Sequence, residues 1–264
     1  MKKIIARTHI LLTALLLLTP CVAFAWGQSG HNAVAAIAEA NLTPKAKATI
    51  EKFLGGRSIV YYSVWMDWYR HTPDWAPIGH TAAVDENFDH APAVTPEKID
   101  GISAIMQSIK ALRDYKKMPA DKVVFHIQVL VHAVGDTHCP VHVKYAKNVK
   151  TIGKISIGGN EITYHKVWDA NVVDAHTWGY QDWAHQMNRL SKDEIAKVTA
   201  GGPADWFRQS ALDCRVIHTW VKPGENLTGT GHRDFLNKAM PLAESQIQKA
   251  GYRLAKVLNG IFSE

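Results

Sequence analysis

Four ionisable side chains fall within eleven residues of an otherwise apolar stretch, LVHAVGDTHCPVHV, at His132, Asp136, His138 and His142. His132 and Asp136 are four residues apart, so on a helix their side chains project from one face, about one turn apart. The segment HKVWDANVVD repeats this spacing at His165 and Asp169. Because buried imidazoles and carboxylates are costly unless they are paired, hydrogen-bonded or metal-bound, the repeat predicts a metal site.

Other candidate ligands precede these pairs in the chain. Asp67 lies in the aromatic segment VWMDWYRH, Arg70 follows it one turn later, and His80 follows in IGHTAAVDE. Mixed imidazole and carboxylate ligation suits zinc, and several such groups indicate more than one ion. A single His-x-x-x-Asp pair is common on helix surfaces, but the repeated pair predicts a metallohydrolase acting at phosphorus or at a carbonyl.

The elements that must position these residues are helices. Thr43 with Pro44, Thr95 with Pro96, and Ser191 with Glu194 are helix-start signals, and apolar residues recur at helical spacing after each. The Gly-rich segment TIGKISIGGNEITY is the one β-like piece and is predicted as a loop or a short hairpin. The sequence therefore predicts an all-α single domain over residues 26–264, with long loops near residues 71–94, 143–163 and 221–233.

Residues 1–25 have the features of a secretory signal: cationic residues, a short apolar run and a small-residue cleavage site. Cleavage between Ala25 and Trp26 would make Trp26 the amino terminus of a periplasmic or secreted protein. A lipoprotein signal cleaved before Cys21 is the alternative, but Pro20 stands where a small residue is expected. No later segment has the length of uninterrupted apolar sequence that a membrane span needs.

Composition and charge are those of a globular domain. The chain is 47% hydrophobic, and its formal net charge of +6 includes three cationic residues of the signal, which leaves +3. That mild surplus tolerates a polyanionic substrate without demanding one. Cys139 and Cys214 remain after cleavage, and their spacing leaves open whether they pair as a disulfide or stay as buried thiols.

Taken together, these motifs resemble a known family, the zinc-dependent single-strand nucleases and 3'-nucleotidases of fungi, plants and bacteria. The resemblance rests on WGQSGH, VWMDWYR, the His of IGHTAAVDE, HAVGDTHCPVHV, HKVWD and AGYRLAKVLN, and it covers almost the whole mature chain. It implies the helical fold shared with zinc-dependent phospholipase C, and a single-stranded nucleic acid or nucleotide as substrate. No obligate protein partner is evident.

The resemblance also implies three zinc ions. The first would be bound by Asp67, His80, His132 and Asp136. The second would be bound by His142, His165 and Asp169. The third would be bound by His31 and by the terminal amine and carbonyl oxygen of Trp26, with Asp136 bridging it to the first.

In that family, a zinc-bridging hydroxide attacks phosphorus and 5'-nucleotides are released. By the same resemblance, Arg70 would support charge on the phosphate oxygens and Asp85, in AAVDE, would orient the nucleophile. His138 is two residues from Asp136 and is predicted to face away from it, in a supporting or packing role. His126, His185 and His218 are likewise predicted to be structural.

The chain departs from the family pattern at several positions. Thr81 follows His80 where a base-stacking aromatic is common, the interval from His80 to Asp85 is longer, and Cys139 replaces a usual Gln. Two other functions therefore stay open: a zinc-dependent phospholipase C or phosphomonoesterase on the same metal platform, and a secreted zinc-binding protein without activity. Arg70 and Asp85 argue against mere storage, which needs neither.

Overall fold

The structure is a computed structural model that describes residues 26–263, and the predicted signal at residues 1–25 lies outside them. Helices dominate it, as the sequence predicted. The α-helices are α1 (Gln28–Ala40), α2 (Pro44–Phe53), α3 (Trp65–Tyr69), α4 (Gly101–Leu112), α5 (Ala120–Asp136), α6 (Tyr164–Lys166), α7 (Val172–Asp174), α8 (Tyr180–Met187), α9 (Lys192–Val198), α10 (Pro203–Cys214) and α11 (Gly229–Phe262). A π-helical turn, Val167–Asn171, joins α6 to α7, and short 3-10 helices span Ile59–Tyr62, Tyr115–Lys117 and Arg215–Thr219.

Two of the three predicted helix starts are confirmed. The Thr43 hydroxyl accepts a hydrogen bond from the Ala46 amide at 3.1 Å, with Pro44 in the first turn of α2. Ser191 and Glu194 form a capping box at the start of α9. Both caps satisfy amide groups that the first helical turn leaves without partners.

The third predicted start, at Thr95 and Pro96, is wrong. Helix α4 begins at Gly101, because the buried carboxylate of Asp100 caps it by accepting from the Ser103 amide at 2.9 Å. Thr95 instead closes a separate turn, with its hydroxyl accepting from the Lys98 amide at 3.1 Å. A buried carboxylate with several donors is a stronger cap than an exposed threonine.

Six short strands occupy parts of the predicted loops. One sheet has the order β2 (His90–Ala91), β1 (Ala82–Val84), β3 (Val143–Lys144), and the other has β5 (Asn160–Thr163), β4 (Lys154–Ile157), β6 (Asn226–Leu227). The Gly-rich segment is thus a hairpin, with Gly158 and Gly159 at positive φ in its turn. The predicted loop at 221–233 ends early, because α11 starts at Gly229.

The core is built around α1, α5 and α11. Helix α11 crosses α1 closely at Gly251, where a Cβ atom would lie only 2.5 Å from the Ile37 side chain. Helix α5 is buried along most of its second half, including its polar residues. In residues 26–263, no helix is both long enough and apolar enough to cross a membrane.

Candidate metal centre

Helix α5 carries the centre of the site. His132 and Asp136 are completely buried, and their spacing places His132 Nε2 3.2 Å from Asp136 Oδ2. Gly135 lies between them, and a Cβ atom there would come within 3.0 Å of His31 Nδ1. The absence of a side chain at this position therefore lets α1 bring His31 against α5.

The first group of predicted ligands converges on Asp136. His80 Nδ1 lies 3.0 Å from Asp136 Oδ2 and 3.6 Å from Asp67 Oδ1, and His132 Nε2 lies 3.8 Å from the same Asp67 oxygen. Asp67 comes from the short helix α3, and His80 from the residues just before β1. The structure thus brings together four side chains that are up to 69 residues apart.

The second group lies around Asp169. His165 Nε2 is 3.0 Å from Asp169 Oδ2, His142 Nε2 is 3.7 Å from Asp169 Oδ1, and the two imidazole rings stack at 5.0 Å. His142 Nδ1 lies 3.5 Å from Asp136 Oδ1, so this group adjoins the first. Parallel pairing of β1 with β3, in the register Ala82 to Val143, fixes His142 beside the segment that carries His80.

His31 and Trp26 complete the set. His31 Nε2 lies 3.4 Å from Asp136 Oδ1, and its ring stacks on that of His132 at 4.0 Å. Trp26 is fully buried, and the amide of the next residue, Gly27, donates to the carbonyl oxygen of Asp169. Residue 26 therefore lies at the junction of both groups.

Many polar atoms of this cluster are buried without a hydrogen-bond partner among the described residues. These atoms are both ring nitrogens of His31, Asp67 Oδ2, His80 Nε2, both carboxylate oxygens of Asp136, His142 Nε2 and Asp169 Oδ2. Buried polar atoms are almost always satisfied in folded proteins. Nitrogen and oxygen atoms that converge in this way fit divalent metal ions of the zinc type.

Two backbone carbonyls orient the imidazoles, and sequence reasoning missed both. His132 Nδ1 lies 2.7 Å from the carbonyl oxygen of Ser63, and His142 Nδ1 lies 3.0 Å from that of His80. Each carbonyl fixes the proton on Nδ1 and turns Nε2 towards the cluster, an arrangement typical of metal-binding histidines. No sequence signal could have found them, because any residue provides a backbone carbonyl.

Burial and charge set the protonation of the cluster. Burial lowers the pKa of His31 to about 4 and that of His142 to about 3, so both rings are neutral and able to bind a metal. Burial also acts against charge on His132, but the Asp136 carboxylate outweighs it and raises the pKa of His132 to about 9. The pKa of Asp136 lies well below its usual range, despite burial, because several imidazoles face it.

The two predicted catalytic residues, Arg70 and Asp85, make local contacts. Arg70 follows α3 directly, three residues after Asp67, and its Nε lies 3.1 Å from His71 Nε2. Asp85 is exposed at the end of β1, and its carboxylate accepts hydrogen bonds from the amides of Asn87 and Asp89. Arg70 therefore lies at the carboxyl end of the helix that carries Asp67, and Asp85 lies on a surface turn after β1.

Among the described residues, Cys139 and Cys214 are free thiols and form no disulfide. Both are buried, and Cys139 Sγ donates to Asp169 Oδ1 at 3.4 Å. Burial raises the pKa of the Cys139 thiol well above its usual value, and the nearby Asp169 adds to this effect. Cys139 is thus a protonated neighbour of the second group.

His138 lies outside the cluster. Its Nδ1 is 2.7 Å from the Val134 carbonyl oxygen, and its Nε2 accepts from the Arg253 guanidinium at 2.7 Å. His126 pairs with Ser108, His218 accepts from the Ile152 amide, and His185 is exposed. Arg253 was not singled out from the sequence, although its motif, AGYRLAKVLN, was.

Comparison with known proteins agrees with this geometry. A model of the S1/P1 nuclease family matches residues 26–263. The chain belongs to the S1/P1 nuclease family. It is 23% identical to Nuclease S1 of Aspergillus oryzae, over 91% of this chain and 93% of that protein. Nuclease P1 of Penicillium citrinum is 25% identical over 89% and 97% of the two chains, and Endonuclease 4 of Arabidopsis thaliana is 23% identical over 91% and 90%.

Membership of the S1/P1 family confirms the predicted enzyme class, a zinc-dependent nuclease that hydrolyses phosphoester bonds. The predicted helical fold is confirmed as well. The match begins at Trp26, the residue predicted to follow signal cleavage. It spans every predicted ligand and both predicted catalytic residues.

Proposed function

We propose that this chain is an exported phosphodiesterase that hydrolyses single-stranded RNA and DNA to 5'-nucleotides and also removes 3'-phosphates from nucleotides. The observation that carries the proposal is the buried cluster around Asp136, in which several imidazole and carboxylate atoms lack a hydrogen-bond partner. Family membership supports the reaction class, and the names of the relatives support nucleic acid as the substrate.

Three zinc ions would be held by the residues that converge here. Asp67, His80, His132 and Asp136 would hold the first, and His142, His165 and Asp169 the second. Trp26, His31 and Asp136 would hold the third. Zinc bound there would lower the pKa of water to about 7 and stabilise charge on a phosphate oxygen.

The protein residues bind and orient the phosphate. The cluster is closed except at His80 and His165, whose side chains are 21% and 35% exposed. A cavity of about 510 Å³ opens beside His165 and is also lined by Lys144, Tyr145 and Thr151. This cavity supports a substrate approach from the side of the second group, with the Lys144 ammonium available to a phosphate.

Arg70 and Asp85 are proposed to act on the substrate rather than on the metal. The Arg70 guanidinium would share charge with the phosphate oxygens, since it follows the helix that carries Asp67. Asp85 would orient the nucleophile, and to do so its carboxylate would have to leave the Asn87 and Asp89 amides.

Export would depend on the signal at residues 1–25. Cleavage before Trp26 would free the amine that the third ion requires, so an added residue before Trp26 should lower the zinc content by one equivalent.

The test is release of 5'-mononucleotides from single-stranded RNA and DNA by the chain starting at Trp26, first stripped with a chelator and then restored with zinc. The proposal predicts release that returns with zinc. No release from folded, zinc-loaded protein would contradict it, and phospholipids and phosphomonoesters would be the next substrates to examine.

A further inference from the structure

An exposed group of aromatic rings lies beside the candidate metal centre. Tyr61, Trp68 and Tyr69 are 51%, 58% and 39% exposed, and they account for three of the six large hydrophobic side chains exposed among the described residues. Single exposed apolar residues are ordinary, but a contiguous group marks an interaction surface. These three fall within nine residues of one another.

Trp65 joins the rings into one surface. Its ring stacks on Tyr69 with centroids 4.7 Å apart, and it lies 6.1 Å from Trp68 and 6.3 Å from Tyr61. Trp65 itself is only partly exposed, so it anchors the other rings. We call Tyr61, Trp65, Trp68 and Tyr69 the aromatic patch.

Two arginines adjoin the aromatic patch. The Arg57 guanidinium lies 5.1 Å from the centroid of the Tyr61 ring, and Arg70 follows Tyr69 directly. The carboxylate between these two arginines in the chain, Asp67, is 4% exposed and faces the metal cluster. Exposed rings flanked by guanidinium groups are what proteins use to stack bases and track the backbone of a single strand.

The position of the aromatic patch on the helix that carries Asp67 indicates that its ligand is a nucleic acid strand. Asp67, Trp65, Trp68 and Tyr69 all belong to the short helix α3, and the carboxylate of Asp67 lies 3.6 Å from His80. The helix that contributes Asp67 to the cluster therefore also carries three rings of the aromatic patch, so a strand bound at the cluster has a stacking surface on the same helix.

We propose that the aromatic patch is a stacking platform for unpaired bases that lie beyond the two nucleotides joined by the cleaved phosphate. This inference rests on the proposed function and names how its substrate is selected. Stacking accepts any base, because every base has a π-face, but it requires bases that are not already stacked in a duplex. The platform would thus favour single strands without reading their sequence.

The experiment measures binding of the zinc-loaded protein to single-stranded oligonucleotides of two and eight nucleotides with hydrolysis-resistant phosphorothioate linkages, at one fixed salt concentration. Trp68→Ala should weaken binding of the octanucleotide by about five-fold to a hundred-fold, the range for loss of one stacked base, and change dinucleotide binding far less. Trp68→Phe should retain most of the affinity. Met106→Ala, which truncates a side chain that is 40% exposed on α4, is the matched control and should change neither.

An octanucleotide affinity that Trp68→Ala leaves unchanged, or an equal loss for both lengths, would overturn the proposal. The proposal would also be overturned if Trp68→Ala lost binding to phosphatidylcholine vesicles but bound the octanucleotide as the wild type does. The surface would then be a lipid contact. If the protein hydrolyses single strands but the patch variants bind them as the wild type does, only the stacking proposal fails. If the patch variants lose octanucleotide binding but the wild-type protein hydrolyses no nucleic acid, only the proposed activity fails.

Discussion

Two buried polar clusters meet at the end of helix α5, and they differ in whether their atoms have partners. In one, Arg253 is 1% exposed and donates to His138, to the Val198 carbonyl oxygen at 2.8 Å and to the Gln209 side chain. In the other, around Asp136, both carboxylate oxygens and both ring nitrogens of His31 lack a hydrogen-bond partner, although His31 Nε2 lies 3.4 Å from Asp136 Oδ1. Only one residue, Thr137, lies between Asp136 and His138 in the chain.

The difference distinguishes a structural cluster from a functional one. An unsatisfied buried polar atom costs about 1–3 kcal/mol, so a fold that keeps several of them together holds them for a group that supplies the missing bonds. The Arg253 cluster needs nothing more. We propose that the Asp136 cluster is complete only with a bound cation, and four experiments test this difference.

The largest effect is expected from Asp136→Asn. The amide removes the negative charge that four imidazoles face, so zinc content should fall and turnover should drop by about a hundred-fold to a thousand-fold. Metal analysis and hydrolysis rates of the purified variant measure both.

Asp100→Asn is the matched control, because Asp100 is also a buried carboxylate but is fully paired with His90, Ser103 and the Ala93 amide. It should lower the melting temperature without lowering zinc content or the rate per folded molecule. Equal zinc content in Asp136→Asn and the wild type would refute the contrast.

Arg253→Leu should affect stability rather than zinc content. It removes three hydrogen bonds of a buried cation, so we expect a loss of about 2–4 kcal/mol in the free energy of unfolding, or about 4–16 °C in melting temperature. Zinc per folded molecule should be unchanged. Lys249→Met, which breaks only the partly exposed pair with Asp213, should lose less than about 1 kcal/mol. Loss of zinc in Arg253→Leu would show that metal binding at the Asp136 cluster depends on the Arg253 cluster.

A smaller, pH-dependent effect is expected from His218. Burial lowers its pKa to about 4, and its Nδ1 accepts from the Ile152 amide, a bond that protonation would break. The unfolded chain binds the proton near pH 6.5, so stability should fall as pH drops from about 6.5 to 4. His218 is half-buried, so its share should stay well below the limit of about 1.4 kcal/mol per pH unit.

Thermal unfolding across this pH range, compared between wild type and His218→Gln, measures that share. The variant should show a shallower loss of stability in acid. His185→Gln, at an exposed position, should follow the wild type. Parallel curves for all three proteins would mean that His218 does not titrate as described.

The smallest effect is expected from Cys139→Ser. The thiol is protonated and donates to Asp169, so serine should keep that hydrogen bond and the zinc content, with a change in rate below about three-fold. Loss of one zinc equivalent would instead make Cys139 a thiolate ligand and enlarge the second group.

The sequence predicted the spacing of the central site residues on their helix better than the contacts that distant segments make or the residue at which each helix begins. The spacing of His132 and Asp136 places both on one helix face, and that rule alone finds the centre of the cluster. It could not find the Ser63 carbonyl, the exposure of Trp68 or the partners of Arg253, because these depend on which distant segments meet. The start of α4 was wrong for the same reason: Asp100 is a strong cap only because His90 and the Ala93 amide fold against it.

The most direct test of the central claim is X-ray anomalous diffraction at the zinc edge from crystals of the chain that begins at Trp26. The account predicts anomalous peaks within bonding distance of the unpartnered atoms of Asp136, His31, His142 and Asp169, and none beside His138 and Arg253. A well-ordered structure with zinc in the medium and no peak at Asp136 would contradict it.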